Sequence, residues 1–263
     1  MPEGHKIHRI ANDLSQCLVG QTLTVSSPQG RFEAESKLLD GNRLVKVFAH
    51  GKHLFCEWDS KDFLHIHLGL YGKFRFHKMP VPEPRGQVRV RLVGESHGVD
   101  LNGPNQCQLI SQKALDAKLS QLGEDPLNPD AEFNTVWDRI SRSRASIGSL
   151  LLNQKVIAGV GNIYRAEVLY HCGISPGRQG RQLTETECLR VWETLRNWMQ
   201  IGVQYNRIIT TDFKRNGKSL SRLKKEEALL IYKKEFCERC WIKVSVTDCA
   251  NRKIYYCPVC QDY

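Results

Sequence analysis

The chain has 263 residues, of which 41% are hydrophobic and 25% are charged, a composition typical of a folded globular protein with an ample core. We find no apolar run of the roughly 18 residues that a transmembrane helix requires and no signal peptide, so the sequence predicts a cytosolic protein without a membrane segment. The formal charge of +10 suits a polyanionic partner such as nucleic acid.

The first half of the chain predicts one helix followed by strands. Ile7, Ile10 and Leu14 recur at helical spacing, and Gly20 ends the pattern. From residue 22 to residue 110, short apolar segments alternate with polar residues and are separated by Gly and Pro. This rhythm favours an antiparallel sandwich or barrel with the helix packed against it. The clearest predicted strands are residues 44–48, 53–58, 63–67, 73–77 and 87–93.

The second half predicts helices and a short cysteine-bounded unit. Gly and Pro among acidic residues mark 122–129 as the interdomain connection. The predicted helices are residues 134–141, 147–154, 162–172 and 184–201, the last with Thr184 as its cap. We therefore predict an α+β multidomain protein. Its predicted parts are a helix and β-sandwich domain (1–122), a linker (123–129), a helical domain (130–227) and the cysteine-bounded unit (228–263).

Four cysteines have the spacing of a metal site. Cys237 and Cys240 are two residues apart, sixteen residues follow, and Cys257 and Cys260 repeat the gap. This spacing is typical of a structural zinc ribbon with one ion, and the alternatives are a chance spacing or an iron–sulfur cluster. Between the pairs, residues 242–247 alternate in polarity, 248–252 supply turn residues and 254–256 can run back, which predicts a hairpin.

The hairpin tip and the N-terminus carry candidate chemistry. Arg252 at the tip is either a phosphate clamp or a solvated turn residue. Removal of the initiator Met would leave the secondary amine of Pro2 at the start, and an N-terminal amine, with a pKa near ~8, is partly unprotonated at neutral pH. Its adduct with an aldehyde carbon is an iminium that draws electrons without needing a proton. Glu3 beside it is a possible proton donor and acceptor.

Four motifs occur in one order along the chain: Pro2-Glu3-Gly4, Gly51-Lys52-His53-Leu54, the run QKVIAGVGNIYRAE at 154–167, and the cysteine ribbon. In this order the chain resembles the formamidopyrimidine-DNA glycosylase and endonuclease VIII family over essentially its whole length. The resemblance implies an N-terminal β-sandwich, a helix-two-turn-helix domain and a zinc hairpin. It also implies a bifunctional DNA glycosylase and abasic-site lyase of base-excision repair, a monomer acting on damaged DNA in the bacterial cytosol or nucleoid.

The resemblance assigns roles to individual residues. Pro2 attacks C1′ of the damaged nucleotide and Glu3 assists, while Lys52 aids the elimination steps that nick the strand by β,δ-elimination. Asn162 and Arg252 bind backbone phosphate. Leu70 and Tyr71, which from the residues alone are more often core than wedge, fill the gap left by an extruded base. The start of the chain and this pair resemble the endonuclease VIII branch, so we expect oxidised pyrimidines as substrates.

Four positions depart from the family pattern, namely His5, Lys6, Gly69 and Gln121. The family often has another residue at the place of His5 and Glu at that of Lys6. Gly69 and Gln121 stand where endonuclease VIII has a residue that probes the duplex and a phosphate-binding Arg. Residues 207–222 are a candidate base-recognition loop. A non-catalytic nucleic-acid binder on the same scaffold is the alternative, and a zinc-ribbon partner of RNA or the transcription machinery is a third hypothesis.

Overall fold

The computed structural model describes residues 2–211, 219–224 and 226–261. The chain forms two compact units, one of Met1–Glu3 and Ile7–Gln121, the other of Gly4–Lys6 and Leu122–Tyr263. Within the described ranges, no helix is both long and apolar enough to cross a membrane. Residues 212–218 of the candidate base-recognition loop lie outside the described residues.

Two four-stranded antiparallel sheets build the first unit, as the strand rhythm predicts. One sheet has the order β1-β6-β7-β5 and the other the order β2-β3-β4-β8. The strands are β1 Thr24–Ser26, β2 Leu44–His50, β3 His53–Trp58, β4 Phe63–His67, β5 Lys73–Lys78, β6 Val88–Val93, β7 His97–Asn102 and β8 Gln106–Ile110. Helix α1 is Gly4–Leu18, and two short helices follow later, α2 Glu33–Leu39 and α3 Gln112–Leu119.

Strand alternation divides the side chains of β3 and β4 between two faces. Leu54 and Ile66 point to the main core, which also contains Ile7 and Leu14 of α1. Phe55 and Phe63 lie on the opposite face of the same sheet, where Leu115 of α3 packs on them. This sheet is therefore covered on both faces, and α3 adds a small second core that the sequence did not predict.

The second unit is helical and ends in a hairpin. Its helices are α4 Phe133–Ser141, α5 Ile147–Leu150, α6 Asn162–Cys172 and α7 Glu185–Tyr205, and its strands are β9 Ser245–Cys249 and β10 Arg252–Tyr256. Thr184 caps α7 as predicted, in a reciprocal capping box with Glu187. Helix α6 is buried along nearly its whole length, so it forms the centre of this unit. The hairpin belongs to the same core, through Val244 and Ile254.

Two elements differ from the sequence prediction. The helix predicted over 147–154 stops at Leu150, because the chain turns where the Asn153 side chain accepts a hydrogen bond from the Lys155 amide at 3.0 Å. In the hairpin, β9 begins at Ser245 and not at 242. Ile242 instead accepts a backbone hydrogen bond from Cys237 at 2.8 Å, and it therefore belongs to the turn around the first cysteine pair.

Candidate functional site

The start of α1 is fixed by a close backbone approach. The amide of Gly4 donates to the carbonyl of Gly159 at 2.8 Å. A Cβ at Gly4 would lie 2.8 Å from the Gly159 Cα, which real side chains do not tolerate. Glycine is therefore required here, and it sets the position of the chain just after Pro2 and Glu3. Glu3 is buried and Pro2 is half-buried.

The next two residues of α1 explain one departure from the family pattern. The His5 ring packs edge-on against Tyr164 with centroids 5.4 Å apart, in space that Gly202 leaves open. Lys6 Nζ donates to Asn206 Oδ1 at 2.8 Å. Asn206 is the left-handed C-cap of α7, where the helix dipole favours a positive charge. Lys6 thus places a positive charge at the C-terminal end of α7, where the negative charge of a glutamate would be unfavourable.

Lys52 lies in a two-residue hairpin turn and is buried. Its neighbour Gly51 has a φ of 58°, the first central position of a type II′ turn, where glycine is favoured. His53 pairs with His67 across β3 and β4. The turn that carries Lys52 and the connection that follows β4 therefore lie at the same end of the sheet.

That connection carries the predicted wedge. Leu70 and Tyr71 are 64% and 85% exposed, so they are not core residues, which was the alternative. Gly69 has a φ of 66°, and a Cβ there would lie 2.6 Å from the Asn105 Cβ. Asn105 occupies the space that a side chain at position 69 would need.

Three histidines line the sheet beside Lys52, a set that spacing along the sequence did not reveal. His53 Nδ1 lies 2.9 Å from His65 Nε2, and the His53 and His67 rings are 5.0 Å apart. Burial, together with the charges of the neighbouring histidines and Lys118, lowers the pKa of His53 to about 3 and that of His65 to about 4. Burial and then the charge of Lys52 lower the pKa of His67 as well. These rings are neutral at pH 7, so they add no positive charge near Lys52.

The start of α6 is tied to the hairpin by a buried guanidinium. Arg165 is fully buried and donates twice to the Asn162 side-chain oxygen, at 3.1 and 2.7 Å. It also donates to the carbonyls of Gly148, Cys249 and Arg252 at 2.9 to 3.3 Å. These five bonds use all five N–H donors of an arginine. Sequence reasoning missed Arg165, although it stands inside the GVGNIYRAE run.

The same place holds both predicted phosphate contacts. Asn162 is the first residue of α6, and its side-chain nitrogen Nδ2 donates to the Lys253 carbonyl at 3.0 Å. Ala250 and Asn251 both have positive φ angles and so form a type I′ turn between β9 and β10. Exposed Arg252 follows this turn directly. Asn162 and the Arg252 backbone are thus held together through Arg165.

The four predicted cysteines form one cluster. Their sulfur atoms all lie within 4.8 Å of one another, with Cys237 and Cys260 3.8 Å apart and Cys240 and Cys257 3.4 Å apart. A tetrahedral ion with metal–sulfur bonds of about 2.3 Å requires sulfurs about 3.8 Å apart, so the set fits a metal ion. The Tyr170 hydroxyl lies 3.1 Å from the Cys237 sulfur and can donate to a thiolate there.

Each unit therefore assembles part of the predicted site. In the first, Lys52, Leu70 and Tyr71 lie at one end of a sheet. In the second, Asn162 and Arg252 are linked through Arg165. Gln154 is a further residue that sequence reasoning did not single out. Its side chain accepts from the Gly159 amide and donates to the Val160 carbonyl, each at 3.0 Å, and so shapes the loop before α6.

Comparisons with known proteins agree with this arrangement. Residues 1–105 match the formamidopyrimidine-DNA glycosylase N-terminal domain, and residues 122–214 match the formamidopyrimidine-DNA glycosylase H2TH domain. The Mycobacterium tuberculosis protein named endonuclease 8 1 is 39% identical, over 99% of this chain and 100% of its own. The formamidopyrimidine-DNA glycosylase of Thioalkalivibrio sulfidiphilus is 27% identical over 99% of this chain and 100% of its own.

A solved structure shows the same fold. The Lactococcus lactis enzyme in complex with DNA containing an abasic site superposes with a TM-score of 0.82 at 24% identity, covering 99% of this chain and 100% of that one. The helix-two-turn-helix domain, the N-terminal sheets and the four-cysteine cluster that the resemblance implied are therefore confirmed.

Proposed function

Because this chain belongs to the formamidopyrimidine-DNA glycosylase and endonuclease VIII family of base-excision DNA glycosylases and abasic-site lyases, we propose that Pro2 is its nucleophile and oxidised pyrimidines are its substrates. The anchored start of α1 carries the proposal. Gly4 leaves no freedom for the backbone two residues after Pro2, so a mature N-terminal amine has a defined position. A fixed nucleophile saves the entropy of finding its target.

The proposed reaction begins with the neutral amine of Pro2. Its nitrogen bonds to C1′ of the damaged nucleotide as the glycosidic bond breaks, and the base leaves with a proton. The bond between C1′ and the ring oxygen O4′ then breaks, O4′ takes up a proton and the nitrogen loses its own, which gives the iminium. The iminium draws electrons from C2′, which loses a proton, and the 3′ phosphate leaves. A second elimination releases the 5′ phosphate, and water then frees Pro2. Glu3, which is buried beside it, is the proposed carrier of these protons.

At this end of the sheet Lys52 carries a positive charge, and the three histidines beside it are neutral. We propose that the buried ammonium of Lys52 attracts a phosphate next to the lesion and stabilises charge as that phosphate leaves. The neutral state of His53, His65 and His67 matters, because three more cations would raise the cost of burying Lys52. Exposed Leu70 and Tyr71, at the same end of this sheet, are the proposed wedge for the space left by the flipped base.

Asn162 and Arg252 are the proposed phosphate contacts of the second unit. The side-chain nitrogen Nδ2 of Asn162 has two hydrogens. One of them bonds to the Lys253 carbonyl, and the other can be donated to a phosphate oxygen. Arg252 is exposed on a turn whose backbone Arg165 holds. We propose one zinc ion for the four thiolates; when bound it supplies a structural crosslink and no open coordination position.

Borohydride reduction tests the nucleophile. Wild-type protein incubated with DNA containing an abasic site and borohydride should form a covalent complex, since the reductant converts the iminium to a stable amine. Pro2→Gly leaves a primary amine, whose imine must be protonated before it draws electrons, so the lyase rate should fall by roughly a hundredfold. N-terminal sequencing or mass measurement must show that the active protein begins at Pro2. Active protein that retains Met1 contradicts the proposal.

A panel of oligonucleotides tests the substrate class. We expect thymine glycol and dihydrouracil to be removed faster than 8-oxoguanine, each measured opposite all four bases. The proposal also includes action as a monomer on damaged DNA in the bacterial cytosol or nucleoid. A chain that removes 8-oxoguanine fastest would keep the Pro2 mechanism and overturn the pyrimidine preference.

A further inference from the structure

The cysteine ribbon exposes an aromatic residue in an unusual backbone conformation. Trp241, the residue after Cys240, is 76% exposed. Its φ is 58°, in the left-handed region that favours glycine and disfavours a bulky side chain. A solvent-exposed tryptophan gains little by burial there, and a glycine would meet the backbone requirement better. The turn around the cysteine pair explains the backbone conformation but not the exposed indole, which points to a contact with a ligand.

Trp241 is joined by a second exposed ring and a cation. The amide of Trp241 donates to the Cys237 carbonyl at 2.8 Å and closes the turn around the first cysteine pair. Phe236 and Lys243 face each other as an antiparallel bridge at the base of the same turn. Directly opposed residues of a bridge project on the same face. Phe236 is 47% exposed and Lys243 is exposed too.

The turn carries two exposed cations, Arg239 and Lys243, while its Glu238 is paired with Lys234 at 2.9 Å. The Arg239 guanidinium stacks on the Tyr170 ring at 4.4 Å and donates to the Tyr170 and His171 carbonyls at 3.2 and 3.4 Å, which hold it in place and leave its other N–H groups for a phosphate. Exposed rings and cations on one turn are the combination that binds single-stranded nucleic acid, because bases stack on the rings and phosphates meet the cations. Bases within a duplex are already stacked on each other and cannot stack on Trp241.

We propose that Trp241, with Phe236, Lys243 and Arg239, forms a stacking site for an unpaired base of single-stranded DNA. The site lies on the cysteine turn and not on the Ala250–Asn251 tip that carries Arg252. This stacking site binds an undamaged strand, and the binding does not depend on the reaction of Pro2. It would let the protein hold an unpaired stretch of DNA, such as a bubble, in addition to the lesion.

Tryptophan fluorescence tests this site directly. Of the five tryptophans, Trp58, Trp192 and Trp198 are buried and Trp137 is half-buried, so Trp241 is the one most open to a base. Titration of the zinc-loaded full chain with a short undamaged oligothymidylate at low ionic strength should quench the fluorescence. Pro2→Gly should be quenched equally, so failure of the proposed function and failure of this site are separate outcomes.

Three variants separate stacking from folding. Trp241→Gly suits the positive φ and should keep its zinc, yet it should lose the quenching and bind oligothymidylate roughly tenfold more weakly. Trp241→Phe keeps a ring and should retain most of the affinity. Val259→Ala is the matched control, because Val259 is 54% exposed between the second cysteine pair and carries no ring. It should bind as wild type.

Two results overturn the proposal. One is unchanged oligothymidylate affinity in Trp241→Gly protein whose zinc content is normal. The other is an equal loss of affinity for an undamaged duplex of the same length, which would make Trp241 a general DNA contact or a structural residue. Lys243→Ala should lower the dependence of binding on salt by about one phosphate contact. An unchanged salt slope would remove Lys243 from the site.

Discussion

Arg165 shows how a buried charge can fix the positions of residues at the surface. The residue is fully buried, and its five hydrogen bonds go to one side chain and three backbone carbonyls. Two of these carbonyls, from Cys249 and Arg252, flank the tip of the hairpin. The planar fork of arginine makes this possible, because five donors in fixed directions can reach several acceptors at once. The positions of Asn162 and Arg252 therefore depend on a residue that carries no proposed chemistry.

The substitution Arg165→Lys tests that dependence. Lysine keeps the charge but cannot reach all the acceptors, so buried carbonyls lose their partners, and we expect the free energy of unfolding to fall by about 2–4 kcal/mol. Affinity for abasic DNA should also fall, because Asn162 and the hairpin tip lose their common support. Urea unfolding and DNA titration measure the two effects. Arg190→Lys, on the exposed side of α7, is the control and should change neither.

At the scale of elements, the face of β3 and β4 that carries His53, His65 and His67 has a pH-dependent stability. The pKa values of His53 and His65, about 3 and about 4, lie below the ordinary 6.5 because the rings are buried among like charges. The unfolded chain therefore binds protons that the folded chain excludes. Stability is fully present above pH 6.5 and is lost as the pH falls toward the folded values.

His65→Gln tests this sign. Glutamine can keep a hydrogen bond to His53 but cannot titrate, so the variant should lose less stability on acidification. Between about pH 7.5 and about pH 5, we expect the wild type to lose about 2 kcal/mol more than the variant, the cost of leaving one histidine unprotonated at pH 5. Urea unfolding at both pH values measures the difference. Equal losses in the two proteins would contradict the account.

Elements were predictable where periodicity alone decides them. The helix at 162–172 agrees with its prediction at both ends, since Gly161 precedes it and Gly173, with a φ of 72°, ends it. The helix over 147–154 was predicted too long, because its end is set by the side chains of Asn153 and Gln154, and these act through contacts that a hydrophobic pattern does not contain. Helix α3 was missed because only Leu115 among its residues is buried, so no apolar stripe marks it.

At the scale of the molecule, the sequence predicted the sandwich, the helical region and the cysteine cluster, and the structure and comparisons confirm all three. It assigned Lys52, Leu70 and Tyr71 by resemblance, but it could not place them at one end of a sheet, since that follows from the pairing of His53 with His67. Arg165, Gln154 and the histidine face were missed for the same reason. Their roles arise from neighbours distant in sequence, and they remain invisible until the chain is folded. The predicted domain boundaries stay predictions.

The cysteine cluster is where local chemistry should affect a whole unit. Cys237 and Cys257 belong to the core of the second unit together with Val244 and Ile254, so the hairpin is not a separate appendage. Cys240→Ser removes one ligand, and we expect the bound zinc to fall well below one ion per chain. Because a structural ion contributes folding free energy directly, the melting temperature of the second unit should fall by roughly 10 °C or more.

The first unit provides an internal reference for that experiment, because it has its own core of α1 and two sheets. Hydrogen exchange should show loss of protection in β9, β10 and α6, while strands of the first unit such as β3 and β4 keep theirs. Cys172→Ser, which changes a half-buried cysteine outside the cluster, should retain zinc and melt near the wild-type temperature. If Cys240→Ser protein loses its zinc and α6 stays fully protected, the ion supports only the hairpin, and the proposed coupling to the core of the second unit is wrong.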